Sequence, residues 1–330
     1  MDDIDLVVTW VDGTDSSWIS LRRQYEIDGK SNNSVIFYRD WELMRYWFRG
    51  VERNLPWIRK IHFVTWGHLP KWLNISHPKL QIVKHEDYIP SEFCPSFSSH
   101  PIELNMHRIK GLSERFIYAN DDMFFIGKIE PDYYFKSGLP CDCLCLRPIT
   151  ESCEDGFGHI LWNNIACINR NFSMGDCMKE NGEKWFSELY PDVVMDLNRT
   201  CSAFHNFPGF RDEHLPIPFL KSTFEEVCEK EYRLLRRTSG HKFRSNEDVS
   251  VWLMRYWQLV KGEFVPRMPK GIAITVSEPM NVLRDAILSA ENPVICLNDS
   301  LDEIDFEERS QYIRSLFEII LPEMSSFELY

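Results

Sequence analysis

The sequence predicts an α/β fold in which a mixed, mostly parallel β-sheet is flanked by helices. Two observations carry this prediction. Short apolar runs alternate with helical patterns through the first 150 residues, which is typical of strands joined by helical crossovers. Beyond residue 150 the chain becomes rich in helical patterns and aromatic residues, which indicates a helical second half.

The first half contains apolar runs that predict strands, with helical patterns between them. The run IDLVVTWV is almost wholly apolar and a polar loop follows it, so it predicts a buried strand that ends at a turn. Met44, Trp47, Phe48 and Val51 recur at helical spacing. In chain order the predicted elements are strand 4–11, helix 41–53, strand 60–67, strand 80–85, a helix or helical loop over 101–114, and strand 115–120.

The second half is predicted to be mainly helical. Apolar residues between 246 and 260 fall on one helical stripe, and Ser245-x-x-Asp248 fits a helix capping box. The predicted elements are helix 156–172, helix 246–260, strand 292–299 and helix 305–321. Because the chain shows no internal repeat, low-complexity segment or linker, we expect residues 1–330 to form one compact domain with halves 1–150 and 151–330.

The composition fits a globular protein and argues against nucleic-acid binding. Of the 330 residues, 44% are hydrophobic, which is ample for a core. The net charge is −13, from 50 acidic and 37 basic residues. Sequence-independent binding of nucleic acid depends on Lys and Arg that neutralise phosphates. We therefore expect no nucleic-acid partner, while a local basic pocket could still hold one nucleotide.

The start of the sequence and the spacing of its cysteines indicate the cellular compartment in which we expect the protein. The start MDDIDLVVTW lacks the basic and apolar regions of a signal peptide, and no apolar stretch is long enough to span a bilayer. The ten cysteines include Cys141, Cys143 and Cys145, whose spacing matches neither a zinc ribbon nor a secreted disulfide framework. We expect reduced, mostly buried thiols on one face of a strand, in a cytoplasmic protein.

Carboxylates follow two predicted strands at the point where each strand ends. Asp12-Gly13-Thr14-Asp15 follows the first strand, and Asn120-Asp121-Asp122 follows the fourth. In open α/β sheets ligands bind at the carboxyl ends of the strands, and Mg²⁺ and Mn²⁺ favour carboxylate and phosphate oxygens. Taken alone, each cluster also fits a polar turn at the surface, and Asp12-Gly13 fits an Asx turn.

Further polar residues gather in three segments. The first segment could be the wall of a pocket or an exposed helix with an ordinary ion pair, and it contains Ser99, Glu103, His107 and Arg108. His214 lies just before two prolines, although a loop histidine is usually solvated. Arg244 precedes the predicted helix 246–260 and could bind a phosphate bidentately, whereas Asp248 could be a purely structural cap.

Several of these segments together resemble the Stealth family of hexose-1-phosphotransferases. The stretch IDLVVTWVDGTDSSW resembles its first region, and the second runs from RDWELMRYWFRG to NDDMFFIGKI. HLPIPFLKSTFEEV resembles the third region and FRSNEDVSVWLMRYW the fourth, so the match covers most of the chain in family order. His100 stands where many members have a small residue, and Trp66-Gly67-His68 where Asp-Gly-Gln or Asn-Gly-Gln is common.

The resemblance implies an enzyme of capsular or cell-surface polysaccharide synthesis, similar to the catalytic subunit that adds N-acetylglucosamine-1-phosphate to lysosomal glycoproteins. It implies transfer of a sugar-1-phosphate from a nucleotide-diphosphate sugar, such as UDP-N-acetylglucosamine, to a glycan hydroxyl, with release of the nucleoside monophosphate. A Rossmann-like, glycosyltransferase-A-like sheet and Mg²⁺ or Mn²⁺ are implied as well. Residues 1–150 would bind the donor and residues 151–330 would form the acceptor side. The enzyme would contact membrane-bound capsule machinery at the inner face of the bacterial plasma membrane.

The resemblance also implies roles for individual residues. Asp121, Asp122 and Glu247 are expected to hold the cation. His214 is the expected general base because imidazole titrates near neutral pH, and Asp248 is the rival candidate. Arg244 and Asp15 complete the expected catalytic set. The donor pocket is expected to contain Asp12, Gly13, Thr14, Arg39, Asp40, Arg45, Ser99, Glu103, His107, Arg108 and Asn120.

Two other functions fit parts of the sequence. A metal-dependent glycosyltransferase would use the same acidic turn but would release the nucleoside diphosphate. A glycan-binding module could use the many tryptophans as stacking surfaces. Trp47, Trp252 and Trp257 fall on helical stripes, however, so core packing explains them better.

Overall fold

Strands and helices alternate along the chain in the computed structural model, which describes residues 3–26, 38–152, 156–289, 291–299 and 306–330. The strands are β1 (Ile4–Thr9), β2 (Ile61–Thr65), β3 (Leu80–Lys84), β4 (Arg115–Asn120), β5 (Met123–Phe125), β6 (Phe135–Lys136), β7 (Leu139–Asp142), β8 (Ile217–Leu220), β9 (Val265–Pro266), β10 (Ile272–Thr275) and β11 (Val294–Asn298). The α-helices are α1 (Ser16–Tyr25), α2 (Met44–Asn54), α3 (His85–Tyr88), α4 (Ser99–Leu104), α5 (Gly156–Asn171), α6 (Met174–Trp185), α7 (Asp192–Cys201), α8 (Lys221–Lys230), α9 (Tyr232–Gly240), α10 (Trp252–Val260), α11 (Met280–Leu288) and α12 (Phe306–Ile320).

The main sheet has five strands in the order β3-β2-β1-β4-β8. The first four are mutually parallel, and β8 joins the edge of β4 in the antiparallel direction. A second sheet has the order β10-β11-β5, in which β11 is parallel to β10 and antiparallel to β5. The predicted mixed, mostly parallel sheet with flanking helices is therefore confirmed. Because β8 comes from the second half of the chain, both halves build the main sheet.

Both faces of the main sheet are buried. Along β1, Leu6 and Val8 pack into one hydrophobic cluster with α2 and α12, while Val7 packs into a second cluster with α10. A strand that is covered on both faces reads as a continuous apolar run rather than an alternating one. This burial explains why IDLVVTWV looks apolar throughout.

Two predicted helices differ from the structure at their ends. The predicted helix 246–260 begins only at Trp252, because residues 245–248 form a turn in which Asp248 N–H donates to Ser245 O at 3.0 Å. The predicted segment 101–114 is shorter and begins earlier, as α4 followed by a 3₁₀ turn over Met106–Arg108. The predicted helix 305–321 is α12, and residue 305 lies outside the described residues.

The thiols of Cys141, Cys143 and Cys145 are buried and free, as expected for reduced cysteines. Strand β7 ends at Asp142, so only Cys141 of the three lies on a strand. Burial raises the pKa of the Cys143 thiol to about 12, which keeps it protonated at neutral pH. Among the described helices, none is both long and apolar enough to cross a membrane.

A buried guanidinium joins α10 to β7 and to the loop before β8. Arg255 donates to both carboxylate oxygens of Asp142, at 2.7 and 2.9 Å, and to Asp212 Oδ1 at 2.9 Å. Burial raises the pKa of Asp212 to about 7, although the charge of Arg255 opposes that rise. The two carboxylates thus depend on Arg255 for compensation of their charge in the interior.

Replacement of Arg255 with Met should lower the free energy of unfolding by about 3–5 kcal/mol, because two buried carboxyl groups lose their cation. Urea denaturation followed by circular dichroism measures the change. The matched control is Arg199→Met on α7, where an exposed guanidinium pairs with exposed Asp196. That control should stay within about 0.5 kcal/mol of the wild type. Equal losses in the two variants would contradict the role of burial.

Candidate active site

A cavity of about 370 Å³ lies at the carboxyl ends of the parallel strands. Trp10 follows β1, Asn120 ends β4 and Asn298 ends β11, and all three line the cavity. This edge is where open α/β sheets bind their ligands. Of the residues predicted from the sequence, the cavity is lined by Arg39, Asp40, Ser99, Glu103, Asn120, Asp121, Asp122, His214 and Arg244.

Two adjacent carboxylates stand in the turn between β4 and β5. The backbone of Asp122 accepts a hydrogen bond from Leu297 N–H at 2.9 Å, which ties this turn to β11. Within the described residues, Asp122 Oδ1 is buried and has no hydrogen-bond partner. A buried carboxylate oxygen without a donor is unfavourable unless a cation or a proton reaches it.

The pKa of both carboxyl groups in this turn is raised. Asp121 is exposed at the cavity, where loss of water around its carboxyl group is the largest cause, and the negative charges of Asp122 and Asp40 add to it. Burial likewise raises the pKa of Asp122, while His214 and Cys296 favour its ionised form. Removal of water and mutual repulsion therefore make this turn a place where a cation would be stabilised.

His214 faces this turn and is held by residues of β11. Its Nδ1 lies 2.7 Å from Asn298 Oδ1 and 3.5 Å from Cys296 Sγ. With an amide oxygen as its neighbour, Nδ1 carries the proton and donates it, so Nε2 carries the lone pair. The arrangement suits a general base whose orientation is set by a second residue.

A second imidazole lines the cavity with a carboxylate behind it. Asp248 is fully buried and accepts hydrogen bonds from His100 Nδ1 at 2.9 Å, His241 Nδ1 at 2.6 Å and Ser245 N–H at 3.0 Å. Its carboxylate is thereby occupied, and among these partners His100 lines the cavity. Asp248 therefore acts on the cavity through His100, and it caps no helix.

The positive charges of the cavity come from two arginines. Arg39 Nε lies 2.9 Å from Asp299 Oδ2, and Asp299 also lines the cavity. Arg244 Nη2 donates to Ser99 Oγ at 3.5 Å, at the start of α4. Guanidinium groups beside an acidic turn are the arrangement expected for a ligand that carries phosphate and a cation together.

Two carboxyl groups of the cavity wall have a raised pKa because they are buried. Glu103 on α4 accepts a hydrogen bond from Tyr118 Oη at 2.9 Å, and burial outweighs this bond in raising its pKa. Burial likewise raises the pKa of Asp40, and the nearby charges of Asp12 and Glu42 contribute to the same direction. Burial thus makes the ionised form of both groups less favourable than it is in water.

Comparison of the sequence with known proteins identifies the family of this chain. The family models described as "Stealth protein CR1, conserved region 1" and "Stealth protein CR2, conserved region 2" match residues 2–30 and 37–141. The capsular polysaccharide phosphotransferase WcwK of Streptococcus pneumoniae is 39% identical, over 99% of each chain. The chain belongs to the Stealth family. The exopolysaccharide phosphotransferase cps2G of Lactiplantibacillus plantarum is 36% identical over 99% of this Stealth chain and 96% of its own.

Both relatives are named phosphotransferases, which confirms the expected class of enzyme. This Stealth protein is a transferase. Among solved structures, the galactosyltransferase LgtC in complex with donor and acceptor sugar analogs covers 98% of each chain. Its sequence identity is 8% and its TM-score is 0.38, so it carries no argument about the reaction.

The predicted site residues of the first region, Asp12 to Asp15, lie beside the cavity rather than in its lining. Asp15 caps α1 by accepting from Trp18 N–H at 2.8 Å, and Asp12 Oδ1 accepts from Thr14 N–H at 2.9 Å. Gly13 is required for a local reason, because a Cβ there would lie 2.0 Å from Tyr38 O. The loop thus supports Tyr38, which lines the cavity.

Four other predicted residues of the Stealth chain also lie outside the cavity lining. Arg45 donates to Tyr330 O at 2.6 Å, and Arg108 Nε donates to Asn105 Oδ1 at 3.2 Å. Burial lowers the pKa of His107 to about 4. Exposed Glu247 lies 3.7 Å from Arg237 Nε. We therefore leave Glu247 out of the cation site proposed below.

Sequence reasoning assigned no role at the site to His100, Asn298, Cys296 or Asp299. Of these, only His100 gave a signal, as a departure from the small residue of many Stealth members. Asn298 and Cys296 lie on the predicted strand 292–299, but their contact with His214 spans 84 and 82 positions. No local pattern reports such a contact.

Proposed function

We propose that this enzyme transfers a sugar-1-phosphate from a nucleotide-diphosphate sugar to a hydroxyl of a capsular or exopolysaccharide glycan. A UDP-hexose such as UDP-N-acetylglucosamine is the proposed donor. The observation that carries the proposal is the meeting of Asp121, Asp122, Arg244 and His214 in one cavity. It combines an acidic turn for a cation, a guanidinium for a phosphate, and a base for an attacking hydroxyl.

A divalent cation fits this cavity. Oδ1 of Asp122 is buried and has no hydrogen-bond partner within the described residues, and the pKa of both carboxyl groups is raised, which supports a cation site at this turn. Asp121 and Asp122 would hold Mg²⁺ or Mn²⁺, which take oxygen ligands and bind substrate phosphates. When bound, the cation neutralises charge on the diphosphate.

The residues of the chain then have separate tasks. His214 Nε2 takes the proton of the acceptor hydroxyl, while Asn298 holds Nδ1. The hydroxyl oxygen bonds to the sugar-bound phosphorus. The bond from that phosphorus to the oxygen bridging the two phosphates breaks, and its electron pair leaves with the nucleoside monophosphate. Arg244 stabilises negative charge on the transferring phosphoryl group.

The second imidazole and the surrounding walls have supporting tasks. Asp248 holds His100, which lines the same cavity as His214. Residues 1–150 would bind the donor and residues 151–330 would receive the acceptor. The enzyme would work in the cytoplasm, at the inner face of the membrane beside the capsule machinery.

The nucleotide product tests the proposal. Incubation with a UDP-sugar and a glycan acceptor should release UMP, because the acceptor attacks phosphorus and the sugar keeps its anomeric oxygen and configuration. Ion-exchange chromatography of the nucleotides and phosphorus NMR of the glycan should show UMP and a phosphodiester in equal amounts. Release of UDP with no phosphorus in the glycan would instead establish the glycosyltransferase alternative.

A further inference from the structure

A thiol stands beside the proposed base and the proposed cation ligand. Cys296 of β11, His214 of the loop before β8, and Asp122 of the turn after β4 place their ligating atoms within 4.8 Å of one another. These residues come from three distant parts of the chain. A thiol, an imidazole and a carboxylate form a donor set that binds zinc, whereas Mg²⁺ discriminates against sulfur.

The spacing of the sulfur and nitrogen atoms matches a zinc site. Zinc lies about 2.3 Å from a cysteine sulfur and about 2.0–2.1 Å from a histidine nitrogen, so a tetrahedral site separates the two atoms by about 3.5 Å. Cys296 Sγ and His214 Nδ1 lie 3.5 Å apart. The separation of the two atoms therefore matches that of two ligands of one ion, which would replace the hydrogen bond between Nδ1 and Asn298.

Two further oxygen atoms complete the surroundings of this pair. Asp122 supplies the third ligand of the cluster through a carboxylate oxygen, and its Oδ1 is buried and has no hydrogen-bond partner within the described residues. Asn298 Oδ1 lies 3.6 Å from Cys296 Sγ. The fourth ligand of a tetrahedral site would be this amide oxygen, a water molecule or a substrate phosphate.

We propose that Asp122, His214 and Cys296 form a binding site for Zn²⁺ and that the bound ion inhibits the transferase. The inhibitory part rests on the proposed function of His214 and Asp122. Zinc binding takes Asp122 away from Mg²⁺, so the two cations compete for one carboxylate.

Zinc binding also reverses the tautomer of His214. The metal takes the lone pair of Nδ1, so the single imidazole proton moves from Nδ1 to Nε2. Nε2–H can no longer accept the proton of an acceptor hydroxyl. The Cys296 thiol loses its proton to the solvent, because zinc binds the thiolate. One proton is thus released for each ion bound, with no change in oxidation state.

Calorimetry with Zn²⁺ alone and metal-free full-length protein tests the site. We expect one ion per chain and, when the titration is repeated in buffers of different ionisation enthalpy, the release of about one proton. Cys296→Ser should weaken Zn²⁺ binding by about 10²-fold or more, because even residues that only orient a metal ligand contribute 10–100-fold.

The chain offers a matched control at a second thiol–imidazole pair. Cys228 Sγ lies 3.7 Å from His107 Nε2, but no carboxylate completes a described three-ligand cluster there. Cys228→Ser should therefore leave Zn²⁺ binding unchanged. Equal effects of the two substitutions, or none from Cys296→Ser in a variant with native circular dichroism, would overturn the site.

A second measurement separates the site from its effect. Co²⁺ bound in place of Zn²⁺ should show a sulfur-to-metal charge-transfer band that is absent in Cys296→Ser, whatever reaction the enzyme performs. Zn²⁺ should inhibit the wild type reversibly and inhibit Cys296→Ser far less, relative to the zinc-free rate of each. Zinc bound at this site without inhibition would overturn the inhibitory role alone, and UDP as product would overturn only the proposed function.

Discussion

Replacement of both Asp121 and Asp122 with Asn should lower the rate of transfer by about 10³-fold or more. The cation that they are proposed to hold is expected to supply several kcal/mol of charge stabilisation, and each 1.36 kcal/mol corresponds to a factor of ten. Asn keeps the shape of the turn, so the loss would reflect charge. Initial rates at saturating Mg²⁺ and donor measure the effect.

The stability of the same variant gives an independent result. In the wild type the pKa of each carboxyl group is raised by folding, so these groups lower stability as the pH rises from the unfolded value through the folded one. Without added metal at pH 7, the Asn variant should therefore melt at or above the wild-type temperature. Mg²⁺ should raise the Tm of the wild type and not that of the variant.

Asp132→Asn is the matched control, since its carboxylate is exposed and lies outside the cavity. This variant should keep both the rate and the response of the Tm to Mg²⁺. A double variant of the acidic turn that still transfers at the wild-type rate would remove the cation from the proposed site.

Replacement of His214 with Ala should lower kcat by about 10²–10⁴-fold, the usual contribution of a general base. Donor affinity should change much less, because Arg244 and the acidic turn remain. Calorimetry with the donor and single-turnover kinetics separate the two quantities. His205→Ala, which removes an exposed histidine outside the cavity lining, should change neither.

The opposite outcome for His214 would point to another residue. If donor affinity collapsed while turnover at saturation survived, His214 would be a binding residue. His100, oriented by the buried carboxylate of Asp248, would then be the candidate base. The carboxylate of Asp248 is buried and already accepts three hydrogen bonds, and it does not line the cavity.

The sequence predicts the strands of the main sheet well. A strand that is buried on both faces needs a continuous run of apolar residues, and such a run is visible in the local sequence. All four predicted strands of the first half occur, and the acidic turn after β4 lies at the cavity as the position of a strand end suggests. Burial against a neighbouring element needs no knowledge of which element it is. For that reason composition and periodicity suffice for this part of the fold.

The pairings within the site depend on contacts between distant positions, which no local pattern contains. Ser245-x-x-Asp248 has the spacing of a helix cap, yet Asp248 binds His100, which is 148 positions earlier. Glu247 is adjacent to Asp248 and was expected at the cation, but its side chain is exposed beside Arg237. Neighbouring residues in a turn point in different directions, and tertiary packing decides which one reaches the cavity.

The position of β11 in the second sheet determines when the enzyme can first become active during synthesis. Strand β5 and the turn that carries Asp122 pair with β11, which also brings Asn298 to His214. A nascent chain that has emerged only as far as residue 290 thus has the acidic turn and the proposed base without the strand that joins them. Domains generally fold as units once their non-local contacts are available, and contacts of high sequence separation form late. On the proposed function, catalytic competence therefore arrives with the last tenth or so of translation. Fragments truncated before β11 would contain the proposed donor-binding residues without the strand that orients the proposed base.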